Sequence, residues 1–274
     1  MRIHTSVLLL AGIALAGAAS AVHAQAREEG RLLVAGQVLD ELRAGRDEVI
    51  PDRLLERAYG IAVIPDLTKV AFFAGGRRGH GVLVVRDREG RFSSPVFVTM
   101  TGGSFGWQWG VQSADIVLVF TTPKGVEGIS GGKVTLGADA SVAAGPVGRQ
   151  ASAATDPSFK AEVYSYSRSR GVFAGLALDG TVISIDDDAD AAFYRKPIAA
   201  SDILAGSVRS DDDAARRFMT AVASSTGVQR SASAAGSAPA APAPAGAPAP
   251  AAPAPAPTAQ SFPLSDPKPG SEPK

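Results

Sequence analysis

Residues 102–120 read GGSFGWQWGVQSADIVLVF. Glycine recurs at 102, 103, 106 and 110, first in a turn and then spaced through an amphipathic segment. Holding glycine in place costs backbone entropy, so a run of it marks turns or close approach of backbones. The stretch closes on Asp115 and a short apolar run, residues 116–120. No nucleophile with its base and no metal-ligand spacing is written there. Such a segment specifies a packed backbone with an unusual surface, which suits a chain that holds a shape and binds something. Whether Gly103, Gly106, Gly110 and Gly137 serve helix packing, strand bends or ligand approach stays open at this level.

The flanking sequence predicts the rest of the fold. Leu32, Ala35, Leu39 and Leu42 recur at spacings of three and four, which places them on one helix face. Pro51 fits the first turn of a second short helix, DRLLERA. Residues 61–64 form an apolar run between Gly60 and Pro65, which reads as a buried strand. Residues 70–73 and 82–85 read as strands flanking a loop, GGRRGHG. Residues 87–90 read as a turn, with a returning strand at 95–100. Asp179-Gly180 lies between two strand-like runs, 171–178 and 181–185, a strong hairpin signal. Short helices are expected at 189–194 and 211–223. The predicted class is α+β: antiparallel β-hairpins forming a sheet or partly closed barrel, with helices at both ends.

The two termini differ from this body. Arg2, the apolar residues 7–19 and the small residues Val22 and Ala24 make residues 1–24 an expected signal peptide, cleaved before Gln25. The run is too short to span a bilayer, which takes about 20 helical residues. Residues 25–224 have globular composition, enough for one domain with a sizeable core. Residues 225–274 turn to Ser, Ala, Pro and Gly, an expected disordered tail with polyproline II bias. The reading is therefore of a periplasmic or secreted protein. The chain has no cysteine, so stability rests on burial and not on disulfides. Its formal net charge is +0, which argues against a nucleic-acid partner. Attraction to an anionic surface must come from a local basic patch.

Few side chains offer conventional catalysis. After cleavage His80 is the one histidine left, and its glycine-rich setting suits a loop better than a held base. No cofactor and no metal site are expected. The acids Asp186, Asp187, Asp188 and Asp190 resemble the start of a calcium loop, but Ala191 and Pro197 stand where such a loop needs Gly and Glu. They read as a solvated turn leading into a helix. In GGRRGHG, glycine N–H groups with Arg77 and Arg78 offer an anion cradle, or else a plain hairpin loop. Trp107 and Trp109 share a face on a strand and are either membrane-interface anchors or core. Tyr164, Tyr166, Arg168 and Arg170 recur at period two and share one strand face with Glu162, either a phosphate-binding ladder or a self-satisfied polar sheet face.

Four ordered blocks resemble the SYLF domain family: GIAVIPDLTKVAFFAGGRRGHGVLVVR, SFGWQWGVQSADIVLVF, KVTLGADASVAAGPVGRQASAATD and AEVYSYSRSRGVFAGLALDGTVISID. The resemblance runs from about residue 32 to 206. It implies a non-enzymatic lipid-binding module. Eukaryotic relatives bind phosphoinositides, fungal ones also bind actin filaments, and bacterial ones are exported proteins or lipoproteins. In eukaryotic members a basic amphipathic N-terminal helix contacts lipid. Here that region mixes Arg27, Arg31, Arg43 and Arg46 with six acids, so those contacts are not carried over. The expected partner is an anionic lipid or membrane surface, met by Arg77, Arg78, His80, Trp107, Trp109, Arg168 and Arg170. An envelope protein or the cell wall is an alternative partner for the tail.

Overall fold

The computed structural model describes residues 3–44, 50–71, 74–87, 89–105, 110–145, 161–169 and 178–227. The chain divides into two units, Met1–Ser237 and Ala238–Lys274, and every described residue lies in the first. Its elements in order are α1 (Ile3–Ala44), α2 (Asp52–Glu56), β1 (Gly60–Ala71), β2 (Ala74–Val85), β3 (Val96–Phe105) and β4 (Gly110–Phe120). There follow α3 (Lys124–Ser130), β5 (Lys133–Thr135), β6 (Val142–Ala144), β7 (Val163–Ser169) and β8 (Val182–Ile185). Three helices close the described chain: α4 (Asp187–Tyr194), α5 (Ala200–Leu204) and α6 (Asp213–Ser225). The strands form one eight-stranded sheet in the order β5-β8-β3-β2-β1-β4-β7-β6. All pairs are antiparallel except β6 with β7. The central order β4-β1-β2-β3 is that of a Greek key.

The sheet is curled into a half-barrel, as its topology requires. Its two edge strands, β5 and β6, are successive in sequence, and Leu136 bridges Ala140 between them. A flat sheet of this order would set them a full sheet width apart. Side chains alternate across a strand, so the apolar runs sort into two cores. Ile61, Val63, Val82, Val84, Phe97, Val117 and Val119 face α1, α2, α4 and α6. Ala62, Ile64, Leu83, Val98, Ile116, Leu118 and Phe120 face the other side, where α3 and α5 pack. Continuous apolar runs such as Ile116, Val117, Leu118, Val119 and Phe120 are what a sheet buried on both faces demands.

Helix α1 docks by the face that the spacing predicts: Leu32, Ala35, Val38, Leu39 and Leu42 are all buried. It packs on α6, whose Phe218 and Val222 are fully buried. Pro51 precedes α2 as its N-cap residue, where its missing N–H costs nothing. Among the described residues no helix is long and apolar enough to cross a membrane. The expected cleavage point, after Ala24, lies within the span of α1.

Two sequence expectations change here. The segment GGRRGHG is not a loop but lies inside β2, paired throughout with β1 or β3. Residues 61–64 and 70–71 are not separate strands but two halves of β1, offset by a bulge. The bulge sits at Pro65 and Asp66, with Asp66 at φ 51. Proline has no ladder hydrogen to lose, so a bulge accommodates it. The kinked strand crowds β2. A Cβ on Gly81 would lie 2.4 Å from the Val63 carbonyl oxygen, and one on Gly79 would lie 2.7 Å from an Ile64 methyl. Those glycines are there for close approach, not for turning. The turn at Asp179-Gly180 is present, with Gly180 at φ 73 and β8 following it. The first strand expected of that hairpin falls on residues outside the described set.

Candidate functional site

On β2, Arg77 and Arg78 point to opposite faces because they are adjacent on a strand. They cannot form one anion cradle. Arg77 is 8% exposed and donates from Nη2 to the Gly103 carbonyl at 3.1 Å. Burial lowers its pKa from the ordinary arginine value. Arg78 is exposed, on the same face as His80. Arg78 lies opposite Thr68, and Val70, two residues further along β1, is 40% exposed. This end of the sheet holds the β1–β2 connection. Phe105, the last residue of β3, pairs with Ala74, and Gly110, the first of β4, pairs with Ala71. Trp107 and Trp109 lie between Phe105 and Gly110, outside the described residues. The opposite end of β1 is covered: Gly60 approaches Val126 of α3, and Tyr59 donates its N–H to the Phe120 carbonyl.

Tyr164, Tyr166 and Arg168 do share one face of β7, but it is not a solvent-facing polar surface. Both tyrosines are buried in the core beneath the helices. Burial, with Tyr164 nearby, raises the pKa of Tyr166 well above the ordinary phenol value. Arg168 is taken up by structure: Nη2 donates to Asp115 at 2.9 Å, and Nη1 pairs with Glu41 of α1. Asp115 is 3% exposed and also accepts the Asp66 N–H at 3.0 Å, which pins the bulge of β1. Glu162 lies before β7 and accepts the Ser141 N–H at 2.8 Å while pairing with Lys124. The Ser141 hydrogen bond and Lys124 hold its carboxyl below the usual range. Arg170 lies outside the described residues.

His80 is not in a loop, and it has neighbours. Its Nδ1 is 3.3 Å from Asp186 Oδ2 and 3.2 Å from Thr99 Oγ1. A hydrolytic triad needs hydroxyl and carboxylate on different ring nitrogens. Here both address Nδ1. Asp186 also caps α4 by accepting the Ala189 N–H at 3.2 Å. The acid run is a solvated helix start for Asp187 and Asp188 only. Asp190 is fully buried, and its Oδ1 accepts the Phe97 N–H at 2.9 Å. Burial, reinforced by Asp187, Asp186 and Glu28, pushes its pKa up to about 7 against the pull of that hydrogen bond. Glu28 of α1 is buried as well and pairs with Arg27 and Arg31. Arg31 lies over the Phe97 ring, 5.5 Å from its centroid. Helical spacing carried the signal for both acids. Glu28 is four residues before Leu32, and Asp190 is three before Phe193, each on a buried face. Among the described residues no cluster of three or more acidic, His or Cys side chains is placed to hold a metal.

Comparison with known proteins adds an independent line. Residues 101–225 match the family described as Ysc84: Las17-binding protein actin regulator. Over 168 residues the chain is 40% identical to LAS seventeen-binding protein 3 and 39% identical to Protein YSC84, both of Saccharomyces cerevisiae. Each alignment covers 60% of this chain and 36% of the relative. The SH3 domain-containing YSC84-like protein 1 of Homo sapiens is 33% identical over 165 residues, covering 60% of this chain and 48% of the relative. The chain thus spans between a third and half of the length of the relatives it matches.

Proposed function

We propose, from its similarity to the Ysc84 (SYLF) family, that this protein is a non-enzymatic module that binds anionic phospholipid surfaces in a bacterial cell envelope. It reaches that compartment by export and cleavage after Ala24. The observation that supports this reading is the pair of exposed side chains toward the end of the sheet that holds the β1–β2 connection. There the exposed Val70 and Arg78 stand beside the ends of β3 and β4 that flank Trp107 and Trp109. A cation near an exposed apolar side chain is what a headgroup interface accommodates. On helix α1 the stripe Leu32, Ala35, Leu39 and Leu42 is buried in the core, whereas Leu33 and Val34 are exposed.

The chain's 2 tryptophans make a direct test possible. Vesicles containing phosphatidylglycerol are added to the protein at low and high salt, with co-sedimentation and indole emission recorded together. Binding at low salt with a blue shift is the expected result. Arg78→Glu is expected to weaken binding several-fold, since a single surface cation contributes about 1 kcal/mol near an anionic membrane. Absence of binding at both salt concentrations removes the reading. Binding without a blue shift moves the contact away from Trp107 and Trp109. A second reading, of an envelope interaction protein tethered by its tail, draws on the Ala/Pro composition of residues 238–257 and on the relatives' names. Pull-downs with and without residues 228–274 test it, and identical partner sets dispose of it.

A further inference from the structure

Three carboxylates converge where the body of α1 meets the start of α4. Glu28 comes from α1, and Asp186 and Asp190 come from the end of β8 and the first turns of α4. The charges facing them are few. Arg31 of α1 lies 2.7 Å from Glu28 and 4.0 Å from Asp186. Arg27 of α1 pairs with Glu28 from a solvent-exposed position. His80 of β2 reaches Asp186 alone, and Asp187 of α4 adds a further negative charge. On β3 the groups nearby are the Phe97 N–H, the Phe97 ring and the Thr99 hydroxyl, none of them charged. Tyr194 donates its hydroxyl to the Pro95 carbonyl at 2.7 Å. Among the described residues no cation lies within ion-pair distance of Asp190, and none gives its Oδ2 a hydrogen bond. An isolated buried carboxylate is so costly that it prefers to keep a proton.

Asp190 also holds two elements together. Asp186 donates its N–H to the Phe97 carbonyl, and Asp190, one turn later, accepts the Phe97 N–H. The pair extends the β3–β8 ladder into α4. Phe193 then packs on Phe97 with ring centroids 5.3 Å apart, and Arg195 reaches back to Gln25 of α1 at 2.7 Å. Helix α4 and residues 25–31 of α1 thus share their fastening.

We propose that Asp190 is a proton-operated latch: with its proton it seats α4 and residues 25–31 of α1 on β2 and β3, and without it they open locally while β1, β4 and α6 stay packed. The sign follows from burial. The folded carboxyl holds its proton to about pH 7, whereas the opened one releases it near the ordinary aspartate value. Opening therefore releases a proton across the window between those values. It becomes easier as pH rises through that window and levels off above it. This inference stands apart from the lipid reading, and either can fail alone.

Amide hydrogen exchange on the full chain tests it. Opening constants, corrected for the intrinsic pH dependence of exchange, are measured for α4 and β1 amides at about pH 5 and pH 7.5. The α4 constant is expected to rise roughly tenfold or more, with β1 nearly unchanged. In Asp190→Asn the α4 constant is expected to be flat with pH. A flat wild type, or the same slope in the variant, overturns the latch. Should that variant fail to fold, the carboxyl carbon of Asp190 is titrated in the wild type by NMR. A midpoint near 7 sustains the proposal and one near 4 ends it.

Discussion

Asp115 holds the β1 bulge by accepting the Asp66 N–H and ties it to β7 through Arg168. Its removal takes the acceptor from the Asp66 N–H and leaves the half-buried Arg168 guanidinium with Glu41. Asp115→Ala is expected to cost about 2–4 kcal/mol in urea unfolding, and Asp115→Asn less, since an amide oxygen still serves Asp66. Gly81→Ala meets the Val63 carbonyl oxygen and is expected to cost about 1–3 kcal/mol as an overpacked site. Gly103→Ala meets nothing within 4 Å and is expected to leave the unfolding midpoint nearly unchanged. The sequence marked Asp115 and these glycines as unusual but not for what purpose. An acid needs a partner far along the chain, and a strand glycine looks like a turn glycine until the crowding strand is in place.

At the scale of elements, legibility followed periodicity. The buried stripe of α1, the extended β7 and the span of α4 were all readable from spacing. Strand β2 was not, because its first half lacks the apolar alternation that marks strands and carries glycine instead. Strands β5 and β6 and helices α3 and α5 are too short for a period to register. Capping was partly legible in the acid run before α4, where Asp186 is the cap, but was not read for α6. Asp212 accepts from Ala214 and Ala215, so Asp212→Ala is expected to lower stability by about 1 kcal/mol, read from the denaturant midpoint. Leu39→Ala, on the fully buried stripe of α1, is expected to cost about 2–5 kcal/mol in the same measurement.

For the whole molecule, the sheet order separates the matched family region from the unit that folds. Strands β3 and β4 lie within residues 101–225 only in part or whole, and their inner neighbours β1 and β2 precede that region. A chain of residues 101–225 would expose two unpaired strand edges and the face that α1 covers. It is expected to show no cooperative thermal transition, whereas residues 25–227 are expected to melt in one step. Circular dichroism through a thermal scan decides between them.

The α+β class, the helical stripe of α1 and the apolar pairing segments followed from sequence, because hydrophobic periodicity reports which local geometry can bury a side chain. Tertiary structure alone decided that Arg77 and Arg78 part to opposite faces, that Arg168 serves Asp115, and that Asp190 lies in the dark beneath α1. Those outcomes depend on strand register and on the meeting of residues far apart in the chain, and neither leaves a mark in local sequence.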